Sequence, residues 1–230
     1  LLGLSDLYHE MGHIIIFRNN LVDVFKVTID RFFELEIKKV QKEGKPKGYR
    51  ELLKHTASMW KQTWVLEFAA DLIAAYLSGP AFGWANIRLC INISNDLFAS
   101  SPGMYHEHPA DDARNEAICG MLALVGVEKS AVDGIRDMWN KFIALSGDSK
   151  PQDYELRFPP QLIAELCRFI YDQCRKLNLI PYSQQKSDSN DFNFTHLLNI
   201  AWSEFNNSPM TFPDWELKQI EVIKKHFKLL

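Results

Sequence analysis

Long apolar runs are missing from this chain, and so are several other signatures that would narrow its function. The longest apolar candidate, residues 68–85, is interrupted by Asp71 and by Gly79-Pro80, so no stretch reaches the length needed to span a bilayer. No secretory leader is visible at the amino end. Basic residues are not in excess; the net charge is −3, which argues against nucleic acid as the main partner. Cysteine is scarce: Cys90, Cys119, Cys167 and Cys174 form no close pair of metal-ligand spacing. Cys167 and Cys174 are seven apart, share a helix face and read as core thiols. That usage predicts a reducing compartment, and cytoplasmic localisation is the expectation. The triplets starting at Asn92 and Asn193 match the glycosylation pattern, but without a secretion signal they carry little weight. There is no glycine-rich phosphate loop, no internal repeat and no convincing strand pattern.

What remains is ordinary globular composition, with 47% hydrophobic and 24% charged residues, in a chain long enough to bury a full core. The patterning is helical nearly throughout, and the expected fold class is mainly α. Helices are expected over residues 5–18, 21–43, 49–78 and 81–97. Others should begin after Pro109 and cover 130–145, 159–177, 194–205 and 214–227. Residues 38–50 are rich in Lys and Gly and read as including an exposed loop. The expected organisation is a helical core over 1–182, a polar linker over 183–193, and carboxy-terminal helices over 194–230 that pack on the core.

The chemistry begins at His9-Glu10-Met11-Gly12-His13. Residues four apart on a helix share a face, so both imidazoles can converge on one metal ion with Glu10 beside them to handle a proton. Ser5 is placed to cap this helix and Asp6 suits its positive end. Leu7, Met11, Ile14 and Ile15 are expected to form its buried stripe. Gly12 is unfavourable in mid-helix and makes sense where a neighbouring backbone or a substrate comes close. A catalytic zinc takes three protein ligands and an open position for water. Glu67 is the strongest candidate for the third ligand, because it lies within an apolar helix where a carboxylate needs a partner. Asp71, four residues on, would accept a hydrogen bond from the non-ligating nitrogen of His9 or His13. His55, His196 and His226 have no recognisable partners, and Trp60, Trp64, Trp84 and Trp202 read as core.

H-E-x-x-H followed by E-x-x-x-D resembles the gluzincin metallopeptidases. A third segment, His108-Pro109 with Arg114 six residues after the histidine, is similar to the branch containing the CAAX prenyl proteases and heat-shock membrane proteases. The resemblance covers roughly residues 5–118. It implies zinc-dependent hydrolysis of a peptide or protein substrate, with His9, His13 and Glu67 as ligands and Glu10 as general base. The oxyanion donor would come from Tyr105, His106 or His108, with His108 preferred because it matches the His-Pro segment. Arg114 would pair with Asp71 or Glu116. That branch is largely membrane-embedded and this chain lacks a spanning segment, so prenylated substrates are not implied. Gluzincins usually carry a sheet before the motif helix. Here the motif begins nine residues in and the first residue is Leu. The sheet is therefore expected to be missing from this chain, which reads as a fragment or processed form of a longer parent. The alternative expectation is a zinc-binding regulatory or protein-interaction module whose peptidase activity is restrained or lost.

Overall fold

A computed structural model describes residues 1–93, 96–99, 108–185 and 192–228. It is mainly helical, and no strand occurs among the described residues. Helix α1 (Asp6–Asn19) carries the motif and α2 (Leu21–Lys42) follows through left-handed Asn20. Next come α3 (Lys47–Met59), a π-helical turn (Trp60–Trp64), α4 (Val65–Ser78) and α5 (Pro80–Ile93). Then α6 (Asp111–Leu124), α7 (Lys129–Ser146), the single turn α8 (Tyr154–Arg157) and α9 (Pro160–Lys176) complete the main layer. Helices α10 (Phe194–Asn207) and α11 (Phe212–Phe227) close the chain. None is long and apolar enough to cross a membrane.

Helix α4 is the axis of the fold. Small and branched apolar residues (Ala69, Ala70, Leu72, Ile73, Ala74, Ala75) surround it with apolar surface, and α1, α6 and α9 pack against it. The single helix expected over 49–78 is instead α3, the π turn and α4. The wider turn accommodates two indoles on one side. Trp60 stacks on Phe68 at 5.0 Å and donates to the Arg157 carbonyl at 2.8 Å, while Trp64 lies on Phe158 at 4.7 Å. Gly79 ends α4 at φ 68°, a conformation that favours glycine, and the Tyr182 ring fills the space a side chain would take. The loop expected within 38–50 shrinks to residues 43–46, since α2 runs on to Lys42.

Two expectations for α1 need correction. Ser5 is buried and makes no capping hydrogen bond. Leu7, Met11 and Ile14 are exposed rather than buried, with Phe17 beside them at 67% exposure, and Ile15 is only half-buried. The helix buries Gly12 and Ile16 instead. A Cβ on Gly12 would stand 2.8 Å from the Ala70 carbonyl oxygen and 2.9 Å from its Cα. Only glycine lets α1 approach the α4 backbone this closely, and that approach fixes which face turns inward.

Helix α10 packs on α5 through Leu198, Ala201 and Trp202 against Ala81 and Ala85. Asn199 donates to the Ser78 carbonyl and accepts from the Ala81 amide, bridging the α4–α5 corner. A 3-10 turn, Tyr182–Gln184, runs from the end of the expected core into the stretch expected as a linker, and residues 186–191 lie outside the described set.

Candidate metal centre

The close contact at Gly12 brings the imidazoles of α1 over the carboxylates of α4. His9 Nε2 and His13 Nε2 stand 3.1 Å apart. Glu67 Oε2 lies 3.5 Å from the first and Glu67 Oε1 lies 3.7 Å from the second. One ligand atom from each residue can be chosen so that all lie within 4.8 Å of one another, a group that could hold a metal ion. Two ligand atoms about 2.05 Å from a tetrahedral ion stand about 3.3 Å apart, so these separations suit one shared ion. The interior chemistry agrees. With His9 Nδ1–H given to Asp71, the His9 Nε2 lone pair faces His13 Nε2, and either the Nε2 hydrogen of His13 or a shared metal ion can lie between the two nitrogens. Glu67 Oε2 is buried without a hydrogen-bond partner, and so is His13 Nδ1.

Behind the ligands sits a fixed hydrogen-bond chain. Asp71 is fully buried. Its Oδ1 takes His9 Nδ1 at 2.8 Å, and Arg114 of α6 clamps the same carboxylate through Nε at 2.7 Å and Nη2 at 2.9 Å. Arg114 thus pairs with Asp71, while Glu116 lies 4.0 Å from Arg136. This chain selects the His9 tautomer and orients its ring, as an outer carboxylate does in metal sites. Phe82 lies nearly parallel to the His9 ring, at 6.5 Å.

The electrostatics follow from burial and pairing. Burial opposes a charge on His9, but Asp71 and Glu67 outweigh it and raise the group to about 9. Burial lowers His13, outweighing the pull of Glu67. Burial works to raise Glu67, yet the His108 and His9 imidazoles hold it well below the usual carboxylate range. The Asp71 carboxyl is held low against full burial by the Arg114 guanidinium, whose own pKa is raised in return.

Glu10 is exposed and forms no hydrogen bond or ion pair among the described residues. On α1 it stands about 60° around from His13, so its free carboxylate adjoins the ligand face. His108 approaches from just before α6, with Nδ1 3.1 Å from Glu67 Oε2 but not aligned as a hydrogen bond. Its side chain is 49% exposed. Tyr105 and His106 lie outside the described residues. The contact of His108 with Glu67 has no counterpart in sequence spacing, since 41 residues separate them; an isolated His-Pro is its only local signal. Nor does any pattern announce the ring of Phe82 beside His9. No protein-family model, curated protein or solved structure matches this chain.

Proposed function

We propose that this chain is a zinc-dependent endopeptidase domain of gluzincin type, acting on a peptide or protein substrate. The observation that carries the reading is the convergence of His9, His13 and Glu67, with Asp71 oriented behind His9 and the Glu10 carboxylate left free beside them. His9, His13 and Glu67 would hold the ion. When bound, zinc supplies Lewis acidity to the scissile carbonyl and makes water more acidic. Glu10 accepts the proton of the attacking water and delivers it to the leaving amine. Asp71 and Arg114 hold His9 in the tautomer that leaves Nε2 available. His108 stands with Nδ1 beside Glu67, and its other ring nitrogen, when it carries the ring hydrogen, can donate to the developing oxyanion.

A second reading rests on the same His108 contact. His108 Nδ1 lies against a Glu67 oxygen that a metal would use, which fits a zinc-binding module whose peptidase activity is restrained. Glu10→Gln separates the two. For a peptidase, this variant retains zinc and loses nearly all cleavage of an unfolded protein such as casein. Equal cleavage by the variant and the parent protein contradicts the assignment of Glu10, and an absence of cleavage in both favours the restrained module.

A further inference from the structure

A cavity of about 450 Å³ opens between α6 and α9, and none of its lining residues belongs to the metal centre. Its origin is legible in the sequence: Ala113 and Gly120 on α6 face Ala164 on α9, and these short side chains leave the space between the helices unfilled. A Cβ at Gly120 would meet Cys167 Sγ only at 3.5 Å, an ordinary contact. Phe158, Ile163 and Cys167 give it apolar walls. Burial pushes the Cys167 thiol up to about 12, so the thiol carries no charge at neutral pH. The volume lies within the range of small-ligand sites.

The charges around the cavity decide what fits. Asp112 is buried, and its carboxylate is met by Lys150 at 2.9 Å, Trp139 Nε1 at 2.9 Å and the Tyr154 hydroxyl at 2.9 Å. Arg136 is set against Glu116 at 4.0 Å. Two lining charges are left over, one of each sign. Arg168 and Glu155 form no ion pair or hydrogen bond among the described residues. Apolar walls with one spare guanidinium and one spare carboxylate match a ligand that is apolar in its body and carries both an anionic and a cationic end.

We propose that this cavity is a binding site for a short apolar peptide with free termini, its carboxylate directed to Arg168, its ammonium to Glu155, and its side chains against Phe158 and Ile163. The site stands independently of the reading of the metal centre. Calorimetric titration of the full chain with leucyl-leucine tests it. Saturable binding is expected, weakened roughly tenfold or more when both termini are capped, because a charge-assisted contact is lost at each end. Gly120→Leu, which fills the cavity and improves helix propensity, should weaken binding at least as much. Arg168→Gln, a change at an exposed position, should weaken the free dipeptide but not the capped one. Three results overturn the proposal. They are no saturation up to roughly 10 mM dipeptide, equal binding of capped and free dipeptide, and affinity unchanged in Gly120→Leu. The last would place the dipeptide elsewhere, the metal centre included.

Discussion

Replacing Asp71 with asparagine preserves shape and removes one charge, and the structure specifies two separate consequences. The carboxylate accepts from His9 Nδ1 and from two nitrogens of Arg114, with Asp71 0% and Arg114 8% exposed. An asparagine can keep its oxygen toward His9, but its amide then turns donor hydrogens toward the Arg114 guanidinium. A buried cation left without its counter-charge costs about 3–5 kcal/mol of folding stability. The metal centre suffers less, because the three ligands themselves are intact. Losing an outer carboxylate weakens metal affinity by about 10–100-fold, or roughly 1.4–2.7 kcal/mol. Urea denaturation of chelator-treated protein measures the first effect, and competition with a chromophoric chelator measures the second. Adding Arg114→Met to Asp71→Asn should cost less than the sum of the two single changes, because the stranded cation is gone. Stability within about 1 kcal/mol of the parent protein, with zinc affinity unchanged, would refute the reasoning. So would a metal-loaded structure with an Asp71 oxygen at ligand distance.

Two further outcomes follow from the same geometry. Gly12→Ala improves helix propensity, yet its Cβ would press on the Ala70 backbone, which cannot yield as a side-chain tip can. A net loss of about 1–3 kcal/mol is expected, with weaker zinc binding as α1 lifts from α4; a raised melting temperature would contradict the close contact. His9 is held at about 9 against an ordinary 6.5, so in metal-free protein its contribution is fully present below pH 6.5 and is lost as pH rises through 9. That contribution is on the order of 3 kcal/mol. The melting temperature of chelator-treated protein should therefore fall more steeply between pH 6.5 and 9 than that of His9→Gln, and parallel curves would sink the argument.

The parts of the site that were readable from sequence are those set by helical spacing. His9 and His13 share a face because they are four apart, and so do Glu67 and Asp71; each pair is local. Meeting of the two pairs is not local; in the sequence it rests on the need of the Glu67 and Asp71 carboxylates for partners, on the gluzincin resemblance and on Gly12 as a point of close approach. Periodicity gave α1 an apolar stripe but could not say which face would be buried. Close packing of Gly12 and Ile16 on α4 decided that, and it left Leu7, Met11 and Ile14 outside. Residues 60–64 contain no proline or glycine that would mark a π turn; the turn goes with the seating of Trp60 and Trp64 against Phe68 and Phe158. Arg114 could be offered Asp71 or Glu116 by sequence, and only the packing of α6 on α4 selects the buried partner.

The central claim is that His9, His13 and Glu67 form one metal site, and metal content tests it most directly. The parent protein, purified without chelator and measured by atomic emission, should carry close to one zinc per chain. Glu67→Ala, purified alongside, should carry far less while keeping its helical circular dichroism. An absence of transition metal from the parent protein, or equal zinc in parent and variant, would contradict the account.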